Sequence, residues 1–350
     1  MIKKPYSTVL IIPTGIGASI GGYAGDALPV ARSFSQVCDR VITHPNVMNG
    51  ANLYWQCENI DYVEGYALDK FASGEWGLES VRQNKIGLIL DKGIETELRY
   101  RHLQVADAVR ATLGINIQDY IITDRALNVE LRTADSGASW GTIGNPDSLL
   151  RSAETLIREK KVNALAVVAR FPDDTDSKAL EDYRHGNGVD VLAGAEAVIS
   201  HLLVREFQIP CAHAPALSPL PLDINISARS SAEELGYTFL SCVLVGLSKA
   251  PQFTFQRNPY SLWAEDINSL VIPYSACGGS AVLSFSGLNT TIIAVEDNET
   301  VLNIPPEVLG IKAIRVKSYL EALGLIVLDR SGIRHDALNK GETRINQIKN

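Results

Sequence analysis

Short runs of consecutive apolar residues punctuate the chain, separated by longer stretches in which apolar positions return every three or four residues. The clearest runs occupy residues 9–13, 40–43, 62–64, 86–91, 120–123, 164–169, 210–213, 270–273 and 292–295. They are continuous rather than alternating, the pattern of strands covered on both faces. Between them, "TELRYRHLQVADAVRATLG" places Leu98, His102, Val105, Val109 and Leu113 on one stripe and stops at Gly114, which predicts a helix. "NPDSLLRSAETLIREKK" predicts another, with Asn145 as N-cap, Pro146 at the first helical position, and Leu149, Leu150, Ala153, Leu156 and Ile157 on one face. "AGAEAVISHLLVREF" is apolar almost all round and predicts a buried helix.

This alternation predicts an α/β fold of largely parallel, doubly wound sheets with helices on both faces. Two lobes are expected: an N-terminal α/β lobe over 1–140 with a Gly-rich loop, and a second α/β lobe over 141–335, followed by a polar tail at 336–350. The Gly- and Ser-rich stretch at 132–146 marks the boundary, or is equally a long functional loop. The proline-rich stretch at 215–226 excludes regular helix.

Composition narrows the functional class. A chain of 350 residues buries a core without metal or disulfide staples. A net charge of −8 and the lack of a dense Lys/Arg run argue against nucleic-acid or membrane-surface partners. No uninterrupted apolar run suggests a membrane span, and the N-terminal run is too short for a signal-peptide core. Cys38, Cys57, Cys211, Cys242 and Cys277 are dispersed without a CxxC pair, which points to reduced thiols and a cytoplasmic protein.

In open parallel sheets, ligands sit beyond the carboxyl ends of the strands. The residues just past each expected strand are Thr14, then His44, Asn46 and Asn49, then Asp91 and Asp124. Further along come Arg170, Asp173 and Asp174, then His213, then Tyr274, Ser275, Cys277, Gly278 and Gly279, and finally Glu296. His44 precedes a proline, which favours extended backbone at its strand end, and His213 lies in similar surroundings. Both are candidates for proton transfer, with Asp91, Asp124 and Glu296 as carboxylate partners. The plainer reading for either histidine is a hydrogen bond to a neighbouring loop. His102 and His201, inside helices, read as core histidines, and His335 as a solvated one.

Arg184 and His185 stand beside two glycines and Asp190 in "YRHGNGVD", a combination suited to a carboxylate or phosphate. Cys277 precedes an expected helix opening, where amide N–H groups would lower a thiol pKa; a buried, inert cysteine is the alternative.

The stretch "IIPTGIGASIGGYAGD" at 11–26 tests against known phosphate loops. It has no lysine for a Walker A loop, and Ile20 stands where the dinucleotide fingerprint needs glycine. What survives is a backbone cradle for an anion built on Gly15, Gly17, Gly21 and Gly22, with Asp26 capping the next helix. No metal-binding spacing is present. "FPDDTD" could hold Mg²⁺ with a phosphorylated substrate but reads more simply as a solvated loop, and no cofactor is clearly implied.

Several stretches carry a specific likeness: "IPTGIGASIGGYAGDALPVAR", "CDRVITHPNVMNGAN", "YVEGYALDKF", "VVARFPDD", "YRHGNGVDVLAGAEAVISHLLVREFQIPCAHAPAL", "EELGYTFLSCVLVGLSKAPQ" and "SACGGSAVLSF". Over nearly its whole length the chain resembles an uncharacterised family, a domain of unknown function found mainly in oxygenic phototrophs. The resemblance implies membership and transfers no reaction. "LYWQCENI" departs from the family pattern, so Cys57 receives no role.

The residues together lead to an expectation of an enzyme acting by acid–base chemistry on a small anionic metabolite, carboxylate or phosphate. An isomerase, lyase or hydrolase reaction and a homo-oligomer are expected. The alternative is a non-catalytic regulatory protein of the same fold that binds a metabolite or nucleotide.

Overall fold

The computed structural model describes residues 4–49, 57–173, 177–235 and 238–338. In chain order the elements are β1 (Ser7–Leu10), α1 (Leu28–Val37), β2 (Arg40–Thr43), α2 (Pro45–Met48), β3 (Ile60–Tyr62), α3 (Gly65–Ala72), β4 (Gly77–Glu79) and β5 (Ile86–Leu90). Next come α4 (Thr96–Leu113), β6 (Ile117–Ile122), β7 (Val129–Thr133), β8 (Ser139–Ile143), α5 (Pro146–Lys160), β9 (Ala164–Arg170), α6 (Lys178–Arg184), α7 (Ala193–Phe207) and β10 (Cys211–Ala216). The last are α8 (Ala228–Leu235), α9 (Leu240–Ser248), β11 (Gln252–Thr254), β12 (Ser261–Leu262), β13 (Ser269–Pro273), α10 (Ser280–Ser286), β14 (Thr291–Val295), β15 (Ile314–Val316) and α11 (Tyr319–Arg330).

Two parallel sheets organise these elements. The first runs β15-β14-β13-β1-β2-β3. Its central strands β14, β13, β1 and β2 are buried on both sides, which is why they read as continuous apolar runs. Leu10, Val41, Val271 and Ile293 pack with Phe34 of α1 and Ala322 and Ile326 of α11. Val9, Ile42, Leu270 and Ile292 face the other way, toward Phe71 of α3 and Phe285 of α10. The second sheet runs β10-β9-β5-β6. It is covered on one side by α4 and α9 and on the other by α5 and α7. The fold is therefore α/β with parallel sheets wound on both faces.

The sheets do not divide the chain at residue 140. β1 to β3 share a sheet with β13 to β15, so the strands of the first sheet come from both ends of the sequence. The segment carrying the second sheet is inserted between β3 and β13. At the two crossings β4 pairs antiparallel with β11 and β12 in a small three-stranded sheet. One hydrophobic core joins the halves, since residues of α3, α10, α5 and α7 belong to a single buried cluster.

The stretch at 132–146 is neither linker nor long loop. Most of it forms the β7–β8 hairpin, turned through Gly137 at φ +87°. The hairpin lies so close to α7 that a Cβ on Gly194 would sit 2.2 Å from the Trp140 Cα. Asp26 does not cap α1 either; the N-cap is Ala27. Asp26 Oδ1 instead accepts from the Gly21 amide at 2.6 Å, while Oδ2 accepts from Arg229 Nε at 2.8 Å. Asn145 precedes α5 as expected, yet its Nδ2 donates to Ala126 O rather than capping. Most of the expected polar tail, 339–350, lies outside the described residues.

Candidate functional site

Strand order locates the site before any side chain is considered. In the first sheet the crossovers leave in opposite directions from β1 and β13, which opens a crevice at their carboxyl ends. A cavity of about 450 Å³ occupies that crevice and extends to the carboxyl ends of β9 and β10, so both sheets contribute to its wall. The corresponding point of the second sheet, between β5 and β9, is closed. There the buried Asp91 accepts from the amides of Gly93 (2.8 Å), Leu127 (2.9 Å) and Arg170 (3.0 Å). Asp91 is thus a brace for three loops and lies outside the cavity lining, not a carboxylate partner in a site.

Two histidines at the cavity wall have opposite chemistry. His44 follows β2, and its Nε2 accepts from the Ile12 amide at 3.1 Å. Burial pulls its pKa down to about 4, so near neutral pH the ring is uncharged with its proton on Nδ1. The ring has no spare lone pair and can donate but not accept.

His213, on β10, has Nδ1 3.2 Å from Ser200 Oγ. Ser200 Oγ in turn donates to Glu64 Oε1 at 3.2 Å. The polarity of that chain places the His213 proton on Nδ1 and leaves the Nε2 lone pair free, 3.6 Å from Glu196 Oε2.

Glu64 anchors this relay because it is itself held. It ends the segment after β3 and caps α3, with Oε2 accepting from Tyr66 N at 2.8 Å. Its Oε1 also meets His201 Nδ1 at 2.5 Å. Burial opposes charge on the His201 ring, but the Glu64 carboxylate outweighs it and the ring titrates above its ordinary value. His201 therefore lines the cavity as an ion-pair partner rather than filling the core.

The remaining polar wall is acidic. Burial, then repulsion from Glu196, lifts Asp190 to about 7. Burial, then repulsion from Asp190, lifts Glu233 to about 8, although Glu233 accepts from Ala24 N (2.6 Å) and Tyr183 Oη (2.8 Å). The expected anion-binding arginines are already neutralised. Arg184 lines the cavity but pairs with Glu234 at 2.7 Å. Arg170 lies outside the lining, held by Glu95 at 2.9 Å and by Asp173. The Arg170 guanidinium first, and then Ser218 N and Oγ, hold the Asp173 carboxyl at about 2.

Of the residues singled out in the sequence, Thr14, His44, Asn46, Asn49, Asp173, Arg184, Asp190, His213 and Gly279 meet at the cavity. The others serve elsewhere. Asp124 is an exposed partner of Arg151 and Ser148. Glu296 pairs with Arg315. Cys277 is buried with its thiol against Pro273 O and Tyr274 O, and burial pushes its pKa up to about 12, so it is not a thiolate nucleophile. Ser275 bonds Thr300 Oγ1 at 2.9 Å, and Gly278 packs on Ile304. Asp174 lies outside the described residues, as does much of the "FPDDTD" stretch.

The Gly-rich loop does cradle carboxylates, but they belong to the chain: Asp26 on the Gly21 amide and Glu233 on the Ala24 amide. Gly15, Gly17 and Gly21 have φ of +69°, +60° and +92°, conformations set by the turn. A Cβ on Gly22 would meet Ala18 O at 2.4 Å. His185 is at the surface with Nε2 3.1 Å from Asp223, and with Glu181 these form a group whose ligand atoms lie within 4.8 Å of one another. The ion contacts of His185 account for that group.

Glu64, Glu196, Ser200, His201 and Glu233 complete the site; Glu64 closes the apolar run at 62–64 and stands at a strand end, whereas the other four lie on helices. A signal existed for three of them: in the mostly apolar α7, Glu196 and Ser200 stand four residues apart, on one face, and His201 follows directly. Glu233 reaches the site only through tertiary packing.

Comparison with known proteins adds lineage. A relative named as an uncharacterized lipoprotein of Synechococcus sp. is 53% identical over 350 residues, covering 99% of this chain and 97% of its own length. No solved structure matches the chain. A family model described as "Protein of unknown function (DUF3326)" matches residues 7–339. The chain belongs to that family.

Proposed function

We propose that the cavity is the active site of an enzyme that moves protons on a small ligand, with His213 Nε2 as the proton acceptor. The observation that carries this reading is the polarised chain from His213 through Ser200 to Glu64, which fixes the imidazole tautomer and leaves one basic nitrogen free. Glu196, 3.6 Å from that nitrogen, would stabilise the imidazolium once the proton has moved. His44 would act as a neutral donor through Nδ1–H toward the ligand. The walls supply a largely apolar enclosure of ligand size.

This reading keeps the acid–base chemistry expected from the sequence and gives up the anionic ligand, because Arg170 and Arg184 have their charge met within the chain. A cytoplasmic homo-oligomer is part of the same proposal. All five cysteines are free thiols, and Leu222 and Ile224 stand 93% and 88% exposed on the segment between β10 and α8. The Synechococcus relative is named a lipoprotein.

The test is to incubate purified protein and the His213→Gln variant with fractionated small-molecule extract and follow depletion by mass spectrometry. A compound consumed by the wild type and spared by the variant supports the reading. A compound bound and returned unchanged by the wild type would favour a regulatory binding protein.

A further inference from the structure

The charge of the cavity wall carries an inference about the ligand. Arg184 is matched by Glu234, His201 by Glu64, and Arg170 outside the lining by Glu95 and Asp173. His44 is uncharged. Against these, Asp190, Glu196 and Glu233 all line the cavity, and no lysine or arginine pairs with any of them in an ion pair among the described residues. Their hydrogen-bond partners are Leu192 N for Asp190, and Ala24 N and Tyr183 Oη for Glu233. A cavity of about 450 Å³ whose other walls include Ile11, Leu68, Val189, Leu192 and Phe239 therefore holds three neighbouring carboxyl groups with no Lys or Arg partner among the described residues, two of them partly protonated near neutral pH and Glu196 meeting only the His213 ring.

We propose that the cavity takes a small organic cation, an ammonium or guanidinium carried on an apolar body, with its charged head against Asp190, Glu196 and Glu233. The inference rests on the active-site reading for the location of the ligand only. Repulsion among these carboxylates, already visible in the raised Asp190 and Glu233, is what a bound cation relieves. A bare divalent ion fits less well. Among the described residues the group of three whose ligand atoms come within 4.8 Å of one another is Glu181, His185 and Asp223, not these three. The apolar walls also have no use for a hydrated ion, whereas they match the hydrocarbon part of an organic cation.

The test uses the full chain at pH 8 and three probes of one shape that differ in charge: hexan-1-amine, hexan-1-ol and hexanoate. Binding is followed by ligand-observed NMR and by thermal shift. Hexan-1-amine should bind roughly tenfold more tightly than either of the others, as a charge-selective site requires. Glu233→Gln and, as a second folded variant, Asp190→Asn should each weaken the amine about tenfold and leave hexan-1-ol unchanged. Equal binding of the three probes, preference for hexanoate, or amine binding insensitive to both variants would overturn the inference. His213→Gln should still bind the amine, so loss of turnover and loss of charge selectivity are read separately. Failure of one leaves the other standing.

Discussion

At the scale of single residues, the site shows how hydrogen-bond direction decides chemistry where residue type does not. His44 and His213 are equivalent in the sequence, each at the end of an apolar run and next to proline or alanine-proline. Burial and the Ile12 amide donating into His44 Nε2, against the Ser200–Glu64 chain at His213 Nδ1, separate them. Glu64 has a comparable influence on His201. Because the folded pKa of His201 is raised, the ion pair stabilises the protein fully below the ordinary histidine value and the contribution is lost as pH rises through the folded value. In Glu64→Gln the His201 ring should titrate at lower pH, read from its NMR proton shifts; an unmoved titration would contradict the assigned pairing.

Asp190 and Glu233 act in the same direction on stability. Their folded pKa values, about 7 and about 8, lie above those of an unfolded chain, so the folded state holds more protons between roughly pH 4 and 8 and loses stability as pH rises across that window. Asp190→Asn should reduce the fall in Tm between pH 5 and pH 8, and a Tm profile parallel to wild type would count against the raised carboxyl. Asp91 is a separate case. Replacing it with alanine leaves the buried Leu127 amide and the partly buried Gly93 and Arg170 amides without their carboxylate and should cost on the order of 2–4 kcal/mol in a denaturant melt, with Asp91→Asn in between.

At the scale of elements, the legible parts were those whose sequence pattern is a direct consequence of burial. β1, β2, β5, β9, β13 and β14 are covered on both faces and announce themselves as apolar runs, and α4 ends at Gly114 in the left-handed conformation. The strands without a legible pattern, β4, β7, β8, β11, β12 and β15, are short or half-exposed, so their residues carry little period. "VELRT" and "SWGTI" look like polar loop until they pair with each other and lie on α7.

The Gly-rich loop was legible as a constrained turn and misleading as an anion site, because nothing local reveals that Asp26 and Glu233 occupy its amides. Its glycines are structural. Gly21→Ala would put a methyl 2.4 Å from Ile12 Cγ2 at φ +92°, and should destabilise by about 2–4 kcal/mol in equilibrium unfolding. A change within about 0.5 kcal/mol would show that the loop relaxes freely.

At the scale of the whole molecule, the decisive fact is that the first sheet is closed by strands from the two ends of the chain. β1 pairs with β13, Thr8 opposite Ser269, a contact between distant residues that no periodicity reports. That pairing creates the crevice, and the inserted second sheet supplies its far wall through α7, β10 and α8. The site is thus assembled from three separate stretches of sequence, which is why strand ends alone point to His44, Asn46 and His213 but not to the helical Glu196, Ser200 and Glu233. The central claim is that His213 transfers a proton within this assembly. The most direct measurement is kcat and Kd for a compound the wild type consumes, compared with His213→Gln. The account expects kcat to fall by about 10²–10⁴-fold with Kd nearly unchanged; a variant that turns over as the wild type does would contradict it.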